Sequence, residues 1–250
     1  MRQRVHCPFL GWFQPFFIFS IGGKTGLQTI CSGLLCHNHV RLLKEAMFTR
    51  ILLAIAAMTL PRQGAEPVKL FDGKTLKGWE GNEKIFRIEK GAIVGGTLKE
   101  KIARNEFLCT KKSYKNFILK LEVKLLGGPK ANAGIQIRTK RIPNHHEVSG
   151  YQADMGQGWW GSLYDESRRR TTLAKADAAV IKQVLKPNEW NRYEIRCEGK
   201  RLRLFINGTQ TVDYTEPDPK IPLEGVIAVQ IHGGPPSEAW YRKLVIKELP

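Results

Sequence analysis

The chain has no Cys-x-x-Cys pair and no Cys/His spacing of the kind that holds zinc, and of its five cysteines only Cys109 and Cys197 lie beyond residue 65. A zinc-stapled or disulfide-framed domain is thereby excluded. One Cys109–Cys197 bridge and two free buried thiols both stay open, because each cysteine lies in an alternating apolar context. No apolar run reaches the ~18 residues that a membrane-spanning helix needs. Residues 8–21 come nearest, but two prolines, a glycine and a glutamine interrupt them. Asp72, Asn82, Asp213 and Asp218 are oxygen donors in turns without the ligand spacing of a calcium loop. Neither a metal nor a cofactor is expected.

Helical periodicity is also scarce, and acids are outnumbered, with 23 Asp and Glu against 40 Lys and Arg, a net charge of +17. Seven of the basic residues and one acid fall in residues 1–65, so +11 belongs to the remainder. Those charges are scattered apart from Arg168, Arg169 and Arg170, with no basic helical stripe or RNA-binding signature. A dispersed positive surface serves solubility or attracts anionic polymers; no nucleic-acid partner is expected.

What is present begins with a targeting pattern. Met47-Phe48-Thr49-Arg50 followed by the apolar residues 51–60 reads as a secretory signal that starts at Met47, with cleavage after Ala65. On that reading residues 1–46 are an upstream, disordered extension, 47–65 are removed, and 66–250 form the mature domain. The protein is then exported to the periplasm or beyond, without lasting membrane insertion.

From Val68 onward, short period-two runs broken by Gly, Pro and Asn predict an all-β sandwich of two curved antiparallel sheets. Strands are expected at 86–89, 92–95, 107–110, 117–125, 133–139, 150–154, 190–198, 201–206, 209–214, 225–231 and 240–248. Asn207-Gly208 marks a type I′ hairpin. One helix is expected within 174–183, in a long irregular excursion between strands. The packing roles go to Trp79, Trp190 and Trp240.

Alternation assigns faces. Gln136 and Arg138 share one face of their strand, Gln152 and Asp154 another, and Gln230 and His232 a third, each with an apolar set behind. Gln-rich pairs ending in a titratable group suit the floor of a polar groove better than a solvated face. The segment from Gly150 to Arg170 adds Trp159, Trp160, Tyr164, Asp165, Glu166 and Arg168. Carboxylates move protons, flat rings stack on sugars, and guanidinium groups hold oxygen-rich ligands. His232 precedes Gly233-Gly234 and is equally suited to bonding a turn. Asp165 and Glu166 are equally suited to neutralising the three arginines next to them. Adjacent Trp159 and Trp160 cannot both point inward from an extended chain, so one is expected at the groove rim.

The order Leu70-Phe71-Asp72-Gly73-Lys74, Asn132-Ala133-Gly134-Ile135-Gln136-Ile137-Arg138, Gly150-Tyr151-Gln152-Ala153-Asp154, Gly161-Ser162-Leu163-Tyr164-Asp165, Trp190-Asn191-Arg192-Tyr193 and Ile231-His232-Gly233-Gly234 resembles the 3-keto-disaccharide hydrolases. That family was long catalogued as a domain of unknown function, and the resemblance spans essentially all of 68–250. It implies a concanavalin A-like jelly roll whose curved polar face binds glycans, an exported protein, and cleavage of glycosides oxidised at C3. Such cleavage requires a base near C2, an acid at the glycosidic oxygen and a donor for the developing enolate. Asp154 and His232 are the candidate base and acid, Glu166 or Asp165 the further proton carrier, and Arg138 or Arg168 the enolate donor. Gln136, Gln152, Trp159, Trp160, Tyr164, Asp165, Arg168 and Gln230 are the candidate saccharide contacts. Related jelly-roll glucanases that act by double displacement carry paired acids on one strand. Here Gln152 stands where one acid is needed, so that mechanism is not expected. A glycan-binding module without catalysis is the alternative, and a partner for sulfated or uronic-acid polymers a third reading. Oligomeric state stays open.

Overall fold

The computed structural model describes residues 65–250; the signal and extension expectations for the N-terminal segment lie outside the described residues. Fifteen strands and one short helix succeed one another in this part of the chain. They are β1 (Val68–Lys69), β2 (Trp79–Glu80), β3 (Phe86–Glu89), β4 (Ala92–Thr97), β5 (Glu106–Tyr114), β6 (Phe117–Leu126), β7 (Asn132–Arg141) and β8 (Val148–Gly156). Then come β9 (Leu163–Glu166), β10 (Thr171–Ala174), α1 (Ala178–Val184), β11 (Asn191–Glu198), β12 (Arg201–Ile206), β13 (Thr209–Thr215), β14 (Gly225–Ile231) and β15 (Ser237–Glu248). No described helix is long and apolar enough to cross a membrane.

Two antiparallel sheets stack as a jelly roll. The back sheet runs β13-β12-β11-β6-β15-β4-β3, with β1 added beside β15, and the front sheet runs β10-β9-β8-β7-β14-β5-β2. Every expected strand is present. Four more were not foreseen: β1 and β2, too short to show a period, and β9 and β10, inside the segment read as an irregular excursion.

The sheets differ in how their outer faces are used. In β6 and β11 every second residue is buried and the rest reach toward solvent, as for a sheet packed on one side. In β7 and β8 nearly every residue is buried, polar ones included. Between the sheets lie Leu119, Leu121, Val123, Ile135, Ile137, Tyr151, Ala153, Met155, Tyr193, Ile195 and Tyr241, all nearly inaccessible. Two of these tyrosines cross the core to fix the front sheet. Tyr193 Oη donates to the carbonyl of Asp154 at 3.2 Å, and Tyr241 Oη lies 2.5 Å from Gln230 O and 3.2 Å from Gly134 O.

Local chemistry sets the turns. Asn207 and Gly208 both have positive φ, at 52° and 92°, as a type I′ hairpin requires between β12 and β13. Helix α1 starts at Ala178, later than expected, because Asp177 caps it by accepting from the amides of Ala179 and Val180. Cys109 and Cys197 are free and buried, each thiol pushed up to about 12 by desolvation.

A buried ionic cluster ties the β9–β10 segment to the end of β13. Arg169 forks onto Glu216, with nitrogen to oxygen distances of 2.7 and 3.1 Å, and also pairs with Asp165; Tyr151 Oη donates to Glu216 at 2.5 Å. These donors outweigh burial and hold the Glu216 carboxyl down at about 2. Arg169→Ala would leave the buried Glu216 without its guanidinium, Asp165 keeping Arg168, and is expected to cost about 3–5 kcal/mol in urea unfolding at pH 7. Because the Glu216 carboxyl is depressed, its stabilisation is fully present above the ordinary carboxylate range and is lost as pH falls toward 2. The gap between wild type and Arg169→Ala should therefore narrow on acidification.

Candidate functional site

On the outer face of the front sheet, Asn132, Gln152, Asp154, Trp159, Tyr164, Glu166 and His232 line a cleft of about 160 Å³. Register explains the gathering. Gly134 pairs with Asp154 and with Gln230, while Gln136 pairs with Gln152 and with Ala228, so alternate residues of β7, β8 and β14 project to this face. Gln152 lies opposite Tyr164 on β9, which brings Tyr164 and Glu166 to the same side. Gly134 leaves the space that Gln152 occupies. A Cβ there would fall 2.6 Å from the Gln152 Cγ and Cδ.

The floor is a chain of amides ending in an acid. Gln136 Nε2 donates to Gln152 Oε1, and Gln152 Nε2 donates to Asp154 Oδ1 at 2.6 Å. A longer contact, 3.4 Å, runs from Gln230 Nε2 to Glu166 Oε2. The Oε1 atoms of Gln136 and Gln230 are buried and unpartnered, spare acceptors behind the cleft. Asp154 is 3% exposed, and desolvation raises its carboxyl to about 7, with Gln152 opposing and the charge of Glu166 adding to the rise. Glu166 is likewise raised to about 7, first by burial and then by Glu147, while Ser167, Gln230 and Arg170 oppose. The charge of Glu166 makes Asp154 harder to ionise, whereas Glu166 owes its own rise to burial and Glu147. Near neutral pH each carboxyl is therefore poised between its acidic and basic forms.

The walls come from loops and from β9. Trp159, 43% exposed, meets Tyr164 edge-on with centroids 6.3 Å apart and planes at 84°. His232 both lines the cleft and bonds the turn that follows it. Its Nδ1 lies 2.6 Å from the carbonyl of Gly233. That carbonyl only accepts, so Nδ1 carries the proton and a neutral ring keeps an Nε2 lone pair.

Six expected site residues do not line the cleft: Gln136 and Gln230 are wholly buried behind it, and four others lie elsewhere. Arg138 does not face the cleft, because a β-bulge at Arg138 and Thr139 breaks the alternation and Arg138 takes a φ of 47°. Its guanidinium turns inward to the Lys115 and Gly199 carbonyls, at 2.8 and 2.6 Å, and to Asn116 Oδ1 at 3.2 Å. Gly150 and Gly225 make room for the bulge, since a Cβ on either would fall 2.5–2.6 Å from Arg138 or Thr139. Asp165 keeps to the period of β9 and lies on the face opposite Glu166, where it is wholly buried against Arg168 and Arg169. Arg168 lies over the Tyr151 ring, 4.5 Å from its centroid, rather than in the cleft. Trp160 packs on the core and borders a different cavity. One cleft residue, Asn132, is not among the expected contacts. It falls in step with Gln136, so extending that alternation by four residues finds it.

The raised acid and the inward arginine make opposite predictions. Asp154 ionises less readily folded than unfolded, so it costs nothing below about pH 4, progressively more toward 7, and its full penalty above. Asp154→Asn should therefore stabilise the protein by on the order of 3 kcal/mol at pH 8, with at most half that gain left at pH 5, in thermal or urea melts. Arg138→Ala should instead destabilise by about 3 kcal/mol at either pH, by taking a charged donor from the Lys115 and Gly199 carbonyls.

The chain also has relatives among known proteins. Residues 66–247 match the family described as 3-keto-alpha-glucoside-1,2-lyase-like domain. The fold is shared with a protein of Parabacteroides distasonis provisionally described as a glycosyl hydrolase, at 20% identity and a TM-score of 0.55, over 74% of this chain and 94% of that one. It is also shared with a galectin-like protein of unknown function from Bacillus subtilis, at 11% identity and a TM-score of 0.55, over 76% and 97% of the two chains. Carbohydrate binding module CBM66 from Bacillus subtilis aligns at 11% identity and a TM-score of 0.51, over 68% and 96%. No curated protein matched in sequence. With the family matched across most of its length and a jelly roll underneath, the chain belongs to the 3-keto-alpha-glucoside-1,2-lyase-like domain family.

Proposed function

We propose that the protein cleaves 3-keto-disaccharides or 3-keto-glycosides by elimination and then hydration in the cleft of Asp154 and Glu166. The reading is carried by one observation, a buried carboxyl and a half-buried one facing the same cleft and both brought to about 7. A 3-ketone acidifies the hydrogen on C2. The ionised member of the pair removes that proton, the C2–H electrons become the C1–C2 double bond, and the C1–O bond breaks. The protonated member delivers its proton to the departing glycosidic oxygen. Water then adds at C1 and a proton returns to C2, so the net change is hydrolysis. Neither step requires a carboxylate to attack C1, which agrees with Gln152 standing in place of a second acid on β8. Trp159 offers a face for the sugar ring, and the Asn132 amide and Tyr164 hydroxyl are the neutral donors at hand for the enolate oxygen. Arg138 has no part in this. His232, with Nε2 free to accept, is the water-side base. The signal-like segment supports export as part of the same proposal.

The small size of the cleft favours a second reading. At about 160 Å³ it is below the ~300 Å³ lower bound of ordinary ligand pockets, as suits a module that grips one sugar without turnover.

Incubation with 3-keto-trehalose or a 3-keto-glucoside in D₂O separates the two. Catalysis should release reducing sugar and place deuterium at C2. The pH profile of kcat should be bell-shaped about neutrality, and Asp154→Asn and Glu166→Gln should each lower kcat by about 10²–10⁴ and remove one limb. Binding without turnover, indifferent to Asp154→Asn, would establish the module instead.

A further inference from the structure

A larger cavity, of about 760 Å³, lies on the other side of the Gly156–Ser162 turn that carries Trp159 to the cleft. Leu125 and Ala131 line one side, Ile181 and Leu185 the other, and Trp160 closes the wall shared with the turn. Close-packed proteins do not leave apolar space of this size unfilled without a frame that prevents collapse. The frame here is polar. Ser162 Oγ accepts from the amide of Ala176 at 3.1 Å, Asp177 caps the start of α1, and Asn207 Nδ2 donates to the Val184 carbonyl at 2.7 Å. Asn191 then fastens the segment after α1, accepting from Lys186 N at 2.9 Å and donating to the carbonyls of Lys186 and Glu189 at 2.8 and 3.0 Å. Helix α1 rests on the core through Ile181 and Val184, neither of them fully buried, and these bonds fix its two ends.

The charge of the lining is one-sided. Lys175 and Lys182 border the cavity and no carboxylate does. We propose that this cavity is a second ligand site, independent of the saccharide cleft, which takes an apolar carboxylate: its hydrocarbon body lies between Trp160 and Ile181, and its anionic end meets Lys175 and Lys182. The volume falls within the 300–1,000 Å³ range of sites for molecules of that size, and apolar walls with few polar groups are their usual lining. A sugar would leave most of these walls in contact with hydroxyls they cannot bond.

Titration calorimetry on the purified protein tests this with trans-cinnamate, decanoate and the neutral cinnamyl alcohol. At least one carboxylate should bind with a Kd below about 1 mM and at least about tenfold more tightly than the alcohol. Reversing both lysines, Lys175→Glu with Lys182→Glu, should weaken it about tenfold or more. Ala178→Trp, which fills the cavity from the exposed start of α1, should abolish it. The lysine pair is exposed and keeps the fold, so it decides the matter if Ala178→Trp does not fold. Asp154→Asn should leave the affinity unchanged, separating this site from the cleft. Cinnamate alone would identify an aromatic acid as the ligand, decanoate alone an aliphatic one, and both the shared class. The proposal is overturned if neither carboxylate saturates, if the alcohol binds as tightly, or if the lysine reversal has no effect.

Discussion

Desolvation of Asp154 is the constraint on which the arrangement of this domain depends. A strand dry on both faces, carrying a carboxyl 3% exposed, is stable only if its neighbours settle the backbone and the remaining polar atoms. The register with β7 places Gly134 beside Asp154, which opens space for Gln152. Gln152 in turn donates to the carboxyl and limits the rise that burial imposes. From the opposite sheet, Tyr193 and Tyr241 bond the carbonyls of Asp154, Gly134 and Gln230, so the floor is held from behind by groups that never reach the cleft. Functional sites commonly carry a stability cost of this kind, offset elsewhere in the fold. Here the offset lies at the far end of the same strand, where Tyr151 joins the Glu216–Arg169 cluster.

The two carboxyl environments on and beside β8 show how little sequence distance matters to acidity. Asp154 and Glu166 have only amides and distant charge to favour ionisation, and both rise to about 7. Glu216 meets a forked guanidinium and a phenol, and falls to about 2. Burial acts on all three in the same direction. The partner decides the sign. Carboxyls that titrate near neutrality have to be kept apart from arginines, and the three consecutive arginines beside this cleft are accommodated accordingly: Arg168 on the Tyr151 ring, Arg169 on Glu216, and Arg170 near enough to Glu166 only to temper its rise.

Much of this was legible in the sequence because period two is a geometric rule. Alternation placed Gln136, Gln152, Asp154 and Gln230 on one face, and pairing of the strands brought those faces together. Arg138 was misplaced by the same rule, since one extra residue in a bulge reverses the face of every later position in the strand and leaves no mark in a single strand's pattern. The marks lie elsewhere, in Gly150 and Gly225 on the flanking strands. Asp165 and Arg168 were misplaced for the complementary reason. The excursion was read as irregular, and so no face was assigned to β9, although Leu163-Tyr164-Asp165-Glu166 alternates once it is recognised as a strand. The tryptophan pair could be divided but not directed. That one ring faces outward is a matter of stereochemistry, whereas the choice of Trp159 depends on the turn from Gly156 to Ser162.

That turn has a larger role than carrying a ring. Trp159 on one side and Trp160 on the other make it a thin partition between the Asp154 cleft and the cavity beneath α1. It is fastened at its C-terminal end. Asp154 N donates to Ser162 O at 3.0 Å, and Thr211 Oγ1 donates to Gly161 O at 2.8 Å. The backbone of Asp154 is therefore bonded to the partition itself. A ligand against Trp160 and a sugar against Trp159 would press on opposite faces of a segment anchored to the residue whose acidity the cleft depends on. Coupling between the two sites would need only that the partition have two positions of differing affinity; a rigid partition, which its hydrogen bonds favour, would leave them independent.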